Sequence, residues 1–358
     1  MPQTVNIRQT GDMMYTLYDR ILGCLIGAAA GDAMGAATEA RTTEQILEYF
    51  GHKVTDFEVT PLDTFAHGNQ KGQVTDDFSS AYFIARSIID HGGEISSDVV
   101  REAIIDWSGH PVFFDRFAGP TTRMAVRRFK GEILPESESL QLLPRQATNG
   151  AAMKISPIGL FNPGVPLQAA VDSAVVTMVT HDNYIAVSGG AAVAAAVAEA
   201  VTEGADLYSV IQAGLYGAAE GERIGREQGR DVAGPSVIRR MEMAVDIGLG
   251  RGSMEYKMRE IAGRIGMGLH VAEAVPSAFG FLAASGGDAM EAIIAAVNAG
   301  YDTDTVGTMA GAMAGALCGA SVFPEHFLPV MDEINGFDIA GLAGDIERTA
   351  ILRRGNAK

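Results

Sequence analysis

The sequence predicts an all-α protein that folds as one compact domain. Apolar residues recur at the three- and four-residue spacing of amphipathic helices along most of the chain. Strand signals are scarce, and the best of them is the short segment 54–59. The 358 residues are 47% apolar and contain neither a proline- or serine-rich linker nor a solenoid repeat. We therefore expect a single domain over residues 1–358, with its core at about 15–335.

The individual helices follow from apolar spacing and from capping residues. Segment 76–90 places apolar residues at i, i+3 and i+4. Ser97 and Asp98 are typical N-cap residues for a helix that runs to Trp107, and Gly131 is expected to end a basic helix at 121–130. Further helices are predicted at about 169–179, 185–201, 206–219, 236–247, 254–265, 287–298, 305–320 and 325–334. Irregular stretches are expected at about 61–74, 109–120 and 131–168, and a charged surface excursion at 221–258.

Two sets of glycines recur at every fourth position inside helical patterns. A glycine in a helix interior costs up to about 1 kcal/mol relative to alanine, so these ladders need close packing in return. Residues four apart share a helix face, so each ladder forms a smooth groove. We hypothesise that the two helices cross closely and bring Asp32 and Glu39 towards Asp304; the alternative is an Ala/Gly-rich core without specific pairing. The ladders are Gly23, Gly27, Gly31 and Gly35, and Gly307, Gly311, Gly315 and Gly319.

Charge and cysteine usage exclude several classes of protein. A net charge of −17 repels nucleic acid, so we expect no nucleic-acid partner. Cys24 and Cys318 lie in apolar runs, which is typical of reduced thiols in a cytosolic protein. The apolar run 21–31 resembles a signal-peptide core, but acidic residues precede it and it has about half the length of a bilayer span. The expected protein is cytoplasmic and has no membrane partner.

Two short acidic motifs carry most of the functional information. They are Thr75-Asp76-Asp77 and Asp302-Thr303-Asp304-Thr305, and each opens a helical run of apolar and small residues. Carboxylates and hydroxyls are hard ligands suited to Mg²⁺ or Mn²⁺. Either motif alone is more typical of a helix N-cap than of a metal site. Four converging carboxylates would repel one another without a cation, so together the motifs predict a cage for two cations and metal-assisted chemistry.

With three other motifs in the same order, they resemble the ADP-ribosylglycohydrolase superfamily. That superfamily includes the dinitrogenase reductase-activating glycohydrolases, the hydrolases of ADP-ribosyl-arginine and ADP-ribosyl-serine, and a group of lens crystallins. The shared motifs extend over about 20–320, and the set in order is specific although each member is weak. They are Gly31-Asp32-Ala33-Met34-Gly35 with Glu39, Thr75-Asp76-Asp77, Asn149-Gly150 with Met153-Lys154, Thr180-His181-Asp182, and Gly300-Tyr301-Asp302-Thr303-Asp304-Thr305.

The resemblance implies an all-α orthogonal bundle of many helices around a binuclear Mg²⁺ or Mn²⁺ centre. It implies cleavage at the ribose anomeric carbon, with oxocarbenium character that nearby carboxylates stabilise. Glu39 is then the acid/base or water-orienting residue, with Asp76 and Asp304 as further catalytic residues, while Asp32 supports the structure. The implied metal ligands are Thr75, Asp76, Asp77, Asp302, Asp304 and Thr305.

The resemblance also implies a substrate pocket. The segment from Asn149 to Ser156 resembles the one that lines a nucleotide or phosphate pocket, and glycine lets backbone N–H groups approach an anion. His181 lies in a family motif, and both ligand contact and a structural hydrogen bond remain open for it. The candidate substrate-binding residues are Gly119, Thr121, Asn149, Gly150, Met153, Ser156 and His181.

Two departures from the family pattern bear on the leaving group. Lys154 stands where many members have arginine, and Phe117 aligns with a carboxylate of the arginine-directed branch, two residues from Asp115. Phe117 and its aromatic neighbours Phe113 and Phe114 could stack a base or belong to the core. The expected function is metal-dependent hydrolysis of an N- or O-glycosidic bond in an ADP-ribosylated protein or small molecule. The alternatives are hydrolysis of a smaller nucleoside-like riboside, or a non-catalytic, crystallin-like binding role.

Overall fold

The computed structural model describes residues 16–138 and 147–356. The predicted outer boundaries of the domain, 1 and 358, lie outside these residues. The described part contains no β-strand and only two isolated bridges, Thr148–His270 and Asn183–Arg230, so the all-α prediction is confirmed. Its helices are α1 (Leu17–Gly35), α2 (Thr43–Phe50), α3 (Asp76–Asp90), α4 (Ser97–Trp107), α5 (Phe114–Phe117), α6 (Pro120–Phe129), α7 (Ser156–Leu160), α8 (Pro166–Met178), α9 (Tyr184–Ala200), α10 (Leu207–Gln228), α11 (Val237–Leu249), α12 (Met254–Arg264), α13 (Val271–Ala284), α14 (Ala289–Val297), α15 (Thr303–Cys318), α16 (Phe327–Asn335) and α17 (Ile339–Asn356), with 3₁₀ turns at Asn149–Ala151 and Ala320–Val322.

The glycine ladders pair as hypothesised. Helices α1 and α15 pack so closely that a methyl group built on Gly27 would overlap the carbonyl group of Gly311. Gly31 meets Gly307 in the same way, one turn nearer the start of α15. Position numbers rise along one helix as they fall along the other, so the pair is antiparallel. The carboxyl end of α1 therefore meets the amino end of α15, and Gly35 lies against the backbone of Asp304.

Other helices enclose this central pair. Helix α9 is buried over nearly its whole length and packs against α8, α10 and α15. Helix α13 lies against α11 and α15, and α14 packs on α15. The final helix, α17, covers α1 and α3 and buries Leu342, Ile346 and Ala350. Among the described residues, every helix is too short or too polar to cross a membrane.

The strand prediction at 54–59 is wrong. The backbone of Val54 pairs with a side chain instead of a neighbouring strand. Its N–H donates to Asn298 Oδ1 at 2.8 Å, and its carbonyl accepts from Asn298 Nδ2 at 2.8 Å. One amide side chain thus satisfies the backbone groups that a strand partner would satisfy.

Several helix predictions also need correction. Helix α10 extends nine residues beyond the predicted end at 219. Residues 221–258 are not a surface excursion, because α11 buries Met241 and Val245 and keeps its charges on the outer face. The N-cap of α4 is Ser96, not the following pair. Short helices α5 and α7 interrupt the irregular stretches, of which residues 139–146 lie outside the described part.

Helix α13 was not predicted, and it contains a proline at position 276. Proline removes the N–H that would bond the carbonyl four residues earlier, which normally disfavours a helix interior. Here Arg240 Nη1 donates to that carbonyl, of Ala272, at 3.2 Å. A side chain from the neighbouring helix thus satisfies the carbonyl that Pro276 leaves free.

Candidate active site

Three chain segments converge on one cavity of about 170 Å³. They are the start of α3, the start of α15 and the loop that follows α1. The segment before α7 and the start of α6 also line it. The lining residues are Glu39, Asp76, Asp77, Phe117, Gly119, Pro120, Thr121, Thr122, Thr148, Asn149, Gly150, Met153, His181, Leu269, Asp302, Asp304 and Thr305.

The structure brings most of the sequence-predicted residues to this cavity. The three candidate catalytic residues line it, as do the candidate metal ligands other than Thr75 and the candidate substrate residues other than Ser156. The Thr75 side chain is buried and accepts from the Asp77 N–H at 3.4 Å, so it caps α3. Ser156 is 3% exposed, and its hydroxyl has no partner among the described residues.

Five carboxylates form what we call the acidic cluster: Glu39, Asp76, Asp77, Asp302 and Asp304. Oxygens of Glu39, Asp302 and Asp304 lie within 4.8 Å of one another. The helix-capping explanation fails for Asp302, whose side chain makes no cap bond to α15 and instead accepts from Asn149 Nδ2. Asp76 and Asp77 line the same cavity as Asp302 and Asp304, so the convergence of the two acidic motifs, which the sequence left conditional, is present.

The electrostatics of the acidic cluster favour the binding of a cation. Burial and the nearby Asp304 and Asp302 raise the pKa of Glu39 to about 10. Burial and like charges also hold the pKa values of Asp76, Asp77 and Asp302 well above their usual range. Asp77 Oδ2 is buried with no hydrogen-bond partner in the described part of the chain. A hard divalent cation would satisfy that oxygen and remove the repulsion, so the donor set fits such an ion.

Asp32 supports the site from behind, as expected for it. Its fully buried carboxylate accepts the Thr75 N–H at 2.9 and 3.1 Å and the Phe78 N–H at 2.8 Å. These bonds fix the first turn of α3, where Asp76 and Asp77 lie. Burial and Asp304 raise the pKa of Asp32 to about 7 despite those bonds.

The loops that carry Glu39 and Asp302 are bonded to each other. The Ala40 N–H donates to the Tyr301 carbonyl at 2.7 Å, and the Tyr301 N–H donates to the Arg41 carbonyl at 2.8 Å. Both Ala40 (φ 62°) and Tyr301 (φ 69°) adopt the left-handed conformation. Such non-glycine residues cost on the order of 1–3 kcal/mol each and persist where surrounding contacts enforce them. The strain and the paired bonds together fix Glu39 relative to Asp302.

The wall formed by the segment before α7 and the start of α6 supplies hydrogen-bond donors, and a buried cation lies behind it. Lys154 is 2% exposed, and its Nζ donates to the Gly150 carbonyl at 2.6 Å. Burial lowers the pKa of Lys154 to about 8, against the opposing pull of Asp76 and Asp77. Gly119 is the N-cap of α6 and offers no side chain to bond the first N–H groups of that helix. This wall is therefore suited to an anion, whereas the acidic cluster is suited to a cation.

The structure shows which of the three phenylalanines belong to the core and which one lines the cavity. Phe113 stacks on Phe337 with ring centroids 5.5 Å apart, and Phe114 packs edge-on against Trp107, so both belong to the core. Phe117 lines the cavity. The exposed Asp115 is not among the lining residues that the structure describes.

A family assignment follows from comparison with known proteins. The chain matches the sequence model of the ADP-ribosylglycohydrolase family over residues 13–356. The protein belongs to the ADP-ribosylglycohydrolase family. This membership supports glycohydrolase activity in general.

Two known sequences and one solved structure are similar to this family member. The uncharacterized protein YegU of Escherichia coli (strain K12) is 29% identical over 327 residues, which cover 89% of this chain and 94% of YegU. The ADP-ribosyl-dinitrogen reductase glycohydrolase of Rhodospirillum rubrum is 30% identical over 173 residues, which cover 47% of this chain and 53% of the relative. A solved structure, an ADP-ribosylglycohydrolase-related protein complex, shares the fold with a TM-score of 0.65 at 22% identity, over 93% of this chain and 99% of the other.

Sequence reasoning missed several residues that line the cavity. Thr148 precedes the Asn149-Gly150 motif, so its position next to that motif was an available signal. Leu269 gave no signal in the sequence; the Asn149 N–H donates to its carbonyl at 2.9 Å, and this long-range bond holds it beside the cavity. Pro120 was also missed; it directly precedes Thr121 in the first turn of α6.

Proposed function

We propose that this protein is a metal-dependent glycohydrolase. It cleaves the N- or O-glycosidic bond at the ribose anomeric carbon of an ADP-ribosylated protein or small molecule. The observation that carries the proposal is the convergence of Glu39, Asp302 and Asp304 within 4.8 Å, in a chain of this family.

We assign two divalent cations, Mg²⁺ or Mn²⁺, to the acidic motifs. The ligands would be Thr75, Asp76, Asp77, Asp302, Asp304 and Thr305. The unpartnered Asp77 Oδ2 and the raised carboxyl pKa values support this assignment, because both reflect negative charge without a counterion. When bound, such cations supply positive charge that orients ribose hydroxyls and activates water.

The protein's own groups account for the rest of the chemistry. Glu39 is half-buried at the cavity wall, and its carboxyl group is the one that we assign to hold or transfer the proton of the attacking water. The Asp76 and Asp304 carboxylates stabilise positive charge that develops at the anomeric carbon. The bonds between the Glu39 and Asp302 loops keep these groups aligned without reorganisation during the reaction.

We assign the polar and the apolar parts of the cavity lining to different groups of the substrate. The first turn of α6 and the Asn149-Gly150 backbone face the side that we assign to phosphate groups. Phe117, Met153 and Leu269 supply apolar surface for the ribose or the base. The buried Lys154 adds a positive charge behind this wall and offsets part of the negative charge of the substrate.

Substitution of Asp304 tests the proposal directly. Asp304→Ala should abolish Mn²⁺ binding and the release of ADP-ribose from an ADP-ribosylated peptide, while circular dichroism shows the fold unchanged. The matched control is Asp115→Ala, which removes an exposed carboxylate from outside the cavity. Unchanged Mn²⁺ affinity in Asp304→Ala would refute the site assignment.

A smaller riboside is the second candidate substrate. The cavity volume of about 170 Å³ favours it, since pockets for drug-sized ligands usually span about 300–1,000 Å³. Calorimetric titration of ADP-ribose in Mg²⁺, repeated after chelation, separates the two candidates. Metal-dependent binding supports the ADP-ribosyl substrate; turnover of nucleosides without ADP-ribose binding supports the smaller one.

A further inference from the structure

A chain of hydrogen bonds runs behind the cavity from Lys154 to Thr148. Lys154 Nζ lies 3.4 Å from Thr180 Oγ1. Thr180 Oγ1 lies 2.7 Å from His181 Nδ1, and His181 Nε2 lies 2.9 Å from Thr148 Oγ1. Of the two threonines, Thr148 is the one that lines the cavity. The chain thus connects a buried cation to a hydroxyl at the ligand wall.

Each hydrogen bond in this chain has a defined donor and acceptor. A lysine ammonium group only donates, so Thr180 Oγ1 accepts from Lys154 and its single proton is directed to its other neighbour, His181 Nδ1. His181 is 1% exposed, and burial together with the charge of Lys154 holds its pKa well below the usual range. A neutral imidazole that accepts at Nδ1 carries its proton at Nε2. His181 therefore donates to Thr148.

The opposite direction leaves a buried donor unpaired. If His181 carried its proton at Nδ1, Thr180 Oγ1 would accept from both Lys154 and His181. The Thr180 hydroxyl proton would then have no acceptor among its described contacts, although Thr180 is buried. Unpaired buried donors are disfavoured, so the first direction is the favoured one.

The Thr148 hydroxyl consequently accepts from His181 and has its own proton free to donate. The backbone on both sides of Thr148 is fixed, because Asn149 N–H donates to the Leu269 carbonyl and Val271 N–H donates to the Ala147 carbonyl. The hydroxyl is therefore held in place in the cavity that the uncapped start of α6 also lines.

We propose that Thr148 donates a hydrogen bond to a phosphate oxygen of the ligand, and that His181 is a positioning residue in its Nε2–H tautomer. A phosphate oxygen fits because it only accepts, and because the α6 N–H groups and the charge of Lys154 favour an anion in the same cavity. This inference rests on the proposed function for the identity of the ligand. The tautomer of His181 does not depend on it.

Nitrogen NMR decides the tautomer. Protein with ¹⁵N-labelled histidine, in diamagnetic Mg²⁺, gives two-bond ¹H–¹⁵N correlations that distinguish Nδ1–H, Nε2–H and imidazolium forms. His181→Asn identifies the resonances of His181 by their loss. We expect Nε2–H in the wild type and in Lys154→Arg, which keeps a donor-only side chain. An Nδ1–H tautomer or an imidazolium in the wild type would overturn the inference.

Calorimetry tests the donor itself. Thr148→Val keeps the shape but removes the hydroxyl, and should weaken ADP-ribose binding in Mg²⁺ roughly ten- to hundredfold, as expected for a lost bond to a charged acceptor. Thr148→Ser should keep wild-type affinity. Equal affinity in wild type and Thr148→Val would refute the donor role. If wild-type protein does not bind ADP-ribose, the proposed substrate class fails, and the tautomer alone decides whether the hydrogen-bond direction is correct.

Discussion

Replacement of Gly31 by alanine tests whether the glycine ladders hold the site together. In an ordinary helix this change would stabilise the protein by up to about 1 kcal/mol. Here the new methyl group would overlap the Gly307 carbonyl and lie 2.7 Å from the Thr308 nitrogen. Overpacking typically costs about 1–3 kcal/mol, and the upper end applies because backbone atoms cannot rotate away. The net expectation is a fall of about 2 kcal/mol or more in the free energy of unfolding.

Urea unfolding followed by circular dichroism measures this change, after reversibility has been established. The matched control is Gly263→Ala, on the exposed side of α12, where an added methyl meets no atom within 4 Å. That control should gain up to about 1 kcal/mol. Because separation of α1 from α15 also displaces Asp304, Mn²⁺ affinity should fall in Gly31→Ala and stay constant in Gly263→Ala. Equal stabilisation in both variants would refute the close-packing argument.

Three further predictions concern the acidic cluster and two backbone features. Folding raises the pKa values of the cluster carboxyl groups and of Asp32 behind it, so in the absence of metal the folded protein holds their protons more tightly than the unfolded chain does. The contribution of these groups to folding stability is therefore complete below the unfolded pKa values and is lost as pH rises through the folded ones. Urea unfolding in chelator should therefore show stability falling from about pH 5 to about pH 9, and Mn²⁺ should reduce the fall; a pH-independent metal effect would contradict this. Tyr301→Val places a β-branched residue at φ 69° and should lower the free energy of unfolding by about 1 kcal/mol or more. It should also weaken Mn²⁺ binding, measured by calorimetry, whereas Tyr301→Gly should keep wild-type stability and affinity. Equal behaviour of the two variants would exclude backbone strain. Asn298→Leu should lower the free energy of unfolding by about 2 kcal/mol or more, because both Val54 backbone groups lose their partner; a loss below about 1 kcal/mol in urea unfolding would show that these two bonds contribute little.

The sequence predicted the features that local spacing encodes. The glycine ladders repeat at the period of one helix face, so both their helical state and their close contact could be inferred from spacing alone. The acidic motifs at helix starts followed from capping chemistry and ligand preference. The ladders also indicated that Glu39 would approach Asp304, because Gly35 ends one ladder about one helical turn before Glu39 and Asp304 lies just before the other. The approach of Asp76 and Asp77 to Asp304 stayed conditional.

Other features depend on partners that are distant in the chain. The left-handed conformations of Ala40 and Tyr301 arise from bonds between two loops, and neither residue type favours that conformation alone. Helix α13 tolerates Pro276 because Arg240 comes from another helix. Segment 54–59 has the residue pattern of a strand, yet the Asn298 side chain bonds the Val54 backbone in place of a strand partner. In each case a tertiary contact outweighs the local preference.

The same geometry explains why a strongly acidic protein can be suited to an anionic ligand. With a net charge of −17 and five clustered carboxylates, the metal-free cavity repels a diphosphate. The proposed cations would reverse that local field, while the start of α6 in the cavity lining and Lys154 behind it add positive potential. Cation and ligand would then stabilise each other's binding by equal amounts, as linkage requires. The closely packed α1–α15 pair positions this arrangement, because Asp304 lies at the end of the pair where its backbone contacts that of Gly35.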